Sequence, residues 1–344
     1  MKFDFVIGNP PYNQDFNNSG ENGNFAKPVF NEFMDAANTV ADHVELIHPA
    51  RFLFNAGSTP KAWNEKMLAD PHFKVLHYEE DANKIFANTD IKGGIAITYR
   101  AKDQNFGAIE VFTKDPILNT IRGKVAPKLE GKSLADIIYT QCKFDLEALY
   151  AKYPKYKKII GSGGKDKRFR NNIFKKIDAF TEKPKHKTDI PVLGVLDNKR
   201  CVRYIDANFV DNNHENLHKW KALLARANGS GQFGTALSSI VVLKPGEAYT
   251  QTFIGVGAFD SEQDARNAAS YLKTKFARAM LGILKVTQDN DREVWRMVPL
   301  QDFTEHSDID WSVSIAEIDK QLYKKYGLSE EEISFIETNV KEME

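Results

Sequence analysis

Four residues near the start of the chain, Asn9-Pro10-Pro11-Tyr12, put an amide, two rigid prolines and an aromatic ring in a row. The prolines fix φ and each restricts the residue before it, so the Asn9–Pro11 backbone is close to rigid. Neither proline has an N–H, but their carbonyls accept hydrogen bonds, and Asn9 adds a side-chain carbonyl beside them. Two acceptors on a stiff backbone can hold both hydrogens of an –NH2 group. Tyr12 can lay its ring beside the same point. Such a corner binds an exocyclic amine on a planar ring and leaves the nitrogen lone pair free to attack an electrophile. The plainer alternative is a stiff turn after a strand, with Tyr12 as ordinary core.

The elements around this stretch decide where it stands. "FDFVIG" (Phe3–Gly8) is an apolar run of buried-strand length. "KPVFNEFMDAANTVA" carries a helical stripe through Val29, Phe30, Phe33, Met34, Ala37 and Val40. "HVELIHP" reads as a second strand, "TPKAWNEKMLAD" as a helix with a Thr cap and Pro at its first position, and "KVLHYEE" and "GGIAITYRA" as further strands. This alternation predicts an α/β region with a mostly parallel sheet covered on both faces, and permits an antiparallel pair at one edge. In such sheets ligands bind at the carboxyl ends of strands, which is where Asn9 falls. Residues 114–150 read as a connector plus helix. Beyond about residue 150, short β-rich runs alternate with Gly- and Asn-rich turns around one long helix at Ser261–Leu284, predicting a second, α+β domain. The tail closes with two helices, the second carrying a Ser cap and glutamates in its first turn.

"FDFVIGNPPYN" resembles the catalytic motif of amino-group DNA methyltransferases, specifically the TaqI-like branch of adenine-N6 enzymes of restriction-modification systems. The resemblance implies that the Asn9 side chain and the Pro10 carbonyl hold the adenine amine, that Tyr12 stacks on the flipped base, and that Pro11 stiffens the loop. "KGGIAITYRAK" is similar to a later strand of that branch whose aromatic residue covers the other side of the base, which gives that role to Tyr99. "ILNTIRGKVAPKLEGKSLADII" resembles the join to the branch's specificity domain, and "GEAYTQTFIGVGAFDSEQDARNAASYLKTKFARAML" a recurrent part of that domain. The implied architecture is the C-terminal half of a Rossmann-like methyltransferase sheet at residues 1–115, a DNA target-recognition domain at 116–300 and an acidic helical tail at 301–344.

The implied cofactor is S-adenosylmethionine. In this branch its glycine-rich turn and acidic partner precede Asn-Pro-Pro-Tyr, and only two residues precede Phe3. The expectation is therefore a catalytic half with most of the cofactor pocket missing and no cofactor-binding residue identifiable: a fragment, a split subunit completed by a partner or N-terminal segment, or a decayed frame. The chain is expected to be inactive alone. "GSGGKDKR" (Gly161–Arg168) is the one notable glycine cluster, and it reads as a solvated or DNA-facing loop because no strand precedes it.

The formal net charge is zero, yet residues 152–187 carry thirteen Lys or Arg against three acids, and residues 302–344 twelve acids against four Lys. The basic stretch predicts contacts to the phosphates of double-stranded DNA, with Lys165, Lys167, Arg168 and Arg170 as candidates. Tyr153, Tyr156, Phe169 and Phe174 lie among these cations. His214 and His218 stand four apart, but the stretch is Asn-rich and lacks a metalloprotease glutamate, so a surface helix is expected there and no metal. The two cysteines, Cys142 and Cys201, are far apart, which argues for a reducing compartment and against a disulfide framework. No apolar run is long enough to span a membrane and no signal peptide is evident, so a cytoplasmic location is expected. Two other readings share the motif: a non-catalytic DNA-binding specificity subunit that completes a partner methylase, and a protein methylase acting on glutamine.

Overall fold

A computed structural model describes residues 3–14, 27–55, 57–87, 91, 93–129, 131–228, 232–285 and 287–343. The chain divides into two units, residues 1–119 and 120–344.

The first unit contains β1 (Phe3–Gly8), the two-residue strands β2 (Asn13–Gln14) and β3 (Lys27–Pro28), α1 (Phe30–Val40), β4 (Ala41–Pro49), α2 (Lys61–Ala69), β5 (Phe73–Glu79) and β6 (Ile95–Ala101). Four of the strands form one sheet in the order β1-β4-β6-β5. β1 and β4 are parallel, as a crossover through α1 requires. β6 slots between β4 and β5, antiparallel to both. The expected mostly parallel sheet is thus a mixed one with a single parallel pair. The connection from β5 to β6 explains this, since it contains no α-helix among its described residues to return the chain in parallel.

One face of the sheet is well covered. α1 buries Phe30, Met34 and Ala37 along one stripe, and α2 buries Trp63, Met67 and Leu68. These side chains join Val44 and Leu46 of β4 in a single apolar cluster. On the opposite face the edge strand keeps three large apolar side chains in the open: Phe3 is 49%, Phe5 62% and Ile7 75% exposed. The outer edge of β1 pairs with no described strand.

The second unit contains β7 (Ile138–Tyr139), α4 (Leu146–Lys152), α5 (Lys157–Ile160), α6 (Ile173–Lys176), β8 (Asp189–Leu196), β9 (Lys199–Asp206), β10 (Trp220–Ala225), β11 (Val241–Leu243), β12 (Ala248–Tyr249), β13 (Phe253–Phe259), α7 (Glu262–Lys273), α8 (Lys275–Gly282), α9 (Ile315–Tyr326) and α10 (Glu330–Asn339); α3 (Pro116–Val125) carries the chain into it. Its sheets run β11-β10-β13-β7 and β12-β8-β9. The apolar piece "SLADIIY" forms a 3-10 turn over Leu134–Ile137 followed by β7.

The long helix expected over Ser261–Leu284 is two helices. Thr274 is extended and its hydroxyl accepts from the Ala277 N–H, so a residue in mid-pattern serves as the cap of α8. The Asp319 carboxylate of α9 accepts from the N–H groups of Lys275 and Phe276 at the same helix start. The Ser329 cap of α10 forms the reciprocal box with Glu332. The tail residues 301–344 lie within the second unit.

Candidate functional site

Asn9, Pro10, Pro11 and Tyr12 follow directly on β1, at the carboxyl end of the parallel pair. The last register pair is Gly8 with Leu46. The loop is held from its far side as well: the Val29 N–H donates to the Tyr12 carbonyl at 3.0 Å, and β2 pairs with β3 one residue further on. α1 starts at the next residue, Phe30. The corner is therefore clamped between a strand and a helix, which suits a preformed binding point.

Asn9 and Pro11 are exposed, and Pro10 and Tyr12 are half-buried. Tyr12 packs against the apolar cluster beneath the sheet. Its hydroxyl is enclosed without a well-formed hydrogen bond among the described residues. Burial raises its pKa, and the Asn9 side chain beside it partly offsets that rise. An amide and a phenol ring thus stand together at an accessible corner, next to the Pro10 carbonyl.

Tyr99 goes elsewhere. It lies within the central strand β6, opposite Glu45, whereas Thr98 stands opposite Leu46. Side chains alternate along a strand, so Tyr99 faces away from the cluster that holds Tyr12. Its hydroxyl meets His43 Nδ1 at 2.8 Å, its ring lies 6.0 Å from that of Phe106, and Lys74 Nζ sits 5.4 Å from the ring centre. The register of β6 against β4 thus turns Tyr99 to the face opposite the cluster that holds Tyr12, away from the sandwich expected of the two rings.

His48, which belongs to none of the sequence motifs, is fully enclosed. Its Nε2 meets the Thr98 hydroxyl at 2.7 Å and Phe30 stacks on its ring. Burial lowers its pKa from 6.5 to about 4, so the native ring stays neutral where the unfolded one takes up a proton. The stability this contributes is complete above pH 6.5 and lost as pH falls toward 4, up to about 3 kcal/mol. Urea titrations across that interval should show the decline, and His48→Gln should flatten it.

In the second unit the aromatics of the basic segment are not free to stack on bases. Phe169 and Tyr156 are core residues, and Tyr153 and Phe174 pack against the same core. The cations stay outside. Lys165 and Lys167 are exposed and have no ion-pair partner among the described residues. Arg168 and Arg170 are half-buried, and Arg170 pairs with Asp166 at 2.6 Å. That bond fastens the glycine loop, where Gly161 adopts a φ of 107° beside the Asp166 carboxylate. His214 and His218 occupy turns rather than a helix; His214 meets the Thr140 carbonyl at 2.9 Å and His218 the Asn212 side chain at 2.6 Å. Among the described residues no group of three or more His, Cys, Asp or Glu could hold a metal ion. No helix there is long and apolar enough to cross a membrane.

Residues 1–86 match the family model described as Eco57I restriction-modification methylase. The match takes in β1, the Asn-Pro-Pro-Tyr loop, α1, β4, α2 and β5, and it stops short of Tyr99 and of the second unit. A curated relative from Mycoplasma pneumoniae, named an uncharacterized adenine-specific methylase, is 35% identical over 96 residues. That stretch is 28% of this chain and 22% of the relative, so the matched region spans about a fifth of the relative's length. The first quarter of the chain is therefore similar to restriction-modification adenine methylases.

Methylases of this kind use S-adenosylmethionine in general. Among the described residues of the first unit, no strand runs through a glycine-rich turn into a helix N-terminus, and β4 ends in His48-Pro49 rather than an acid. Among the described residues of the first unit, the acceptors at Asn9 and Pro10 suit an amine rather than a methyl donor.

Proposed function

We propose that the chain is the base-holding and target-binding portion of a site-specific DNA adenine-N6 methyltransferase of the TaqI-like branch. The observation that carries this reading is the accessible corner of Asn9, Pro10 and Tyr12 at the carboxyl end of a parallel strand, within the stretch similar to methylases.

An adenine turned out of the duplex would rest its ring against Tyr12. The Asn9 side-chain oxygen and the Pro10 carbonyl would each accept one amine hydrogen, fixing the nitrogen with its lone pair toward the donor. Amine protons pointing at acceptors leave easily once positive charge develops on the nitrogen, so the corner needs no strong base. Tyr99 has no part in this proposal.

The methyl donor is proposed to sit on a further α/β segment, in the same or another polypeptide, that continues the sheet beyond β1. The outer edge of β1, which pairs with no described strand, and the exposed Phe3, Phe5 and Ile7 support this. They also keep open the second reading, in which the chain completes a partner methylase and has no activity alone. Detection of N6-methyladenine by mass spectrometry, in duplex DNA exposed to the chain with and without that segment, tests both. Methylated adenine only with the segment present is the expected result, and none in either case would refute the assignment.

Binding to duplex DNA is proposed to draw on Lys165 and Lys167, with Arg168 and Arg170 beside them. Lys165→Glu with Lys167→Glu should weaken binding of any duplex and lower the slope of log affinity against log salt by about one for each phosphate left unneutralised. Fluorescence anisotropy over a salt series measures both.

A further inference from the structure

We propose that a cleft in the second unit, between the tip of the β8–β9 hairpin and the loops at residues 171–172, 226–227, 251–252 and 287–289, reads base edges in duplex DNA. This rests on the DNA-binding role proposed above and assigns its sequence-reading side chains.

The cleft encloses about 1120 Å³. Five of its lining residues carry side-chain amides, Asn171, Asn172, Asn198, Gln251 and Gln288, and none of the five amides hydrogen-bonds to the protein among the described residues. Asn and Gln amides offer a donor and an acceptor in one plane, the pair that matches the major-groove edge of adenine.

The charges around the cleft are already neutralised. Lys175 pairs with Asp197 at 2.6 Å, and Arg226 with Asp289 at 3.5 Å and Asp291 at 2.5 Å. A phosphate would meet no net positive charge here, whereas neutral base edges need only aligned donors and acceptors. The exposed lysines stand in the adjoining segment instead, and the Gln251 N–H donates to the Phe169 carbonyl at 2.7 Å, tying the amide wall to that segment.

The shape agrees. Beyond Val192 and Leu193, where β8 also pairs with β12, β8 and β9 run on as a two-stranded ribbon closed by Asp197 and Asn198, both at positive φ (49° and 60°), the tight turn that keeps a hairpin narrow. A major groove about 12 Å wide admits such a ribbon. Inserting its tip would carry the cleft to the floor of the groove.

The test uses the full chain and a duplex pool with a randomised central tract, selected for binding and sequenced, together with a salt titration on a fixed duplex. The wild-type chain should enrich a motif. Gln251→Leu and Gln288→Leu should each relax discrimination at one or more base pairs by about tenfold or more while leaving the salt slope unchanged. Gln288 is exposed, so that variant keeps the test valid if Gln251→Leu melts early. Three results would overturn the proposal: variants that keep the wild-type motif, variants that lower the salt slope, or a wild-type chain that binds every sequence alike. The last would leave the DNA-binding role standing. Failure of the wild-type chain to retain any duplex would remove that role and the proposal with it.

Discussion

Asn9→Ala should cut methyl transfer to adenine by at least about a hundredfold in the complete assembly, with duplex affinity nearly unchanged. The expectation follows from counting hydrogens. An exocyclic amine has two, and the corner offers two acceptors, the Asn9 side chain and the Pro10 carbonyl. Removing one leaves the amine able to rotate, so its lone pair is no longer aimed. Asn9 is exposed, so the variant should melt within about 0.5 kcal/mol of the wild type. Duplex binding should survive because it is assigned to cations in the other unit. Single-turnover methylation at saturating DNA separates the two effects. A loss of less than tenfold would reduce Asn-Pro-Pro-Tyr to a stiff turn.

The second large effect concerns the edge of the sheet. Phe5 and Ile7 are each more than half exposed on a strand whose outer edge pairs with no described strand. Covering a large apolar side chain contributes roughly 1.5–3 kcal/mol. The isolated chain is therefore expected to self-associate through β1, and Phe5→Lys with Ile7→Lys should make it monomeric, since lysine is what natural edge strands use to refuse a neighbour. The same pair of changes should prevent copurification with the donor-bearing segment, weakening the association by about a hundredfold or more. Sedimentation velocity reads the first outcome and affinity capture of the coexpressed segment the second. Unchanged behaviour in both would mean that this edge is not an interface.

Local pattern was enough to place β1, α1, β4, α2 and the Ser329 box, because each rests on periodicity or capping within a few residues, although α2 starts after Pro60 and Thr59 donates to the Asn64 side chain instead of capping it. The corner at Asn9 was legible for the same reason, its stiffness being a property of adjacent prolines. What escaped depends on distant neighbours. Tyr99 reads as a plausible second stacking ring, and only the register of β6 against β4 shows which way it faces. The break at Thr274 is hidden inside an unbroken helical stripe, because the Asp319 carboxylate that helps to satisfy the freed N–H groups comes from a helix more than forty residues later. The amides of the cleft had no signal at all: Asn171, Asn172, Gln251 and Gln288 look like ordinary turn residues until the loops that carry them converge.

The Asp319 clasp also fixes where the chain can be cut. Ending it near residue 300, as the acidic composition of the tail would invite, takes away the two Asp319 oxygens that accept at the start of α8 and leaves only the Thr274 hydroxyl there; it also removes Tyr326, on whose ring Phe276 stacks. A shortened product would be a molecule with an unsealed interior rather than a smaller specificity module. Any transplant of target preference between relatives must accordingly carry the last two helices along with the hairpin.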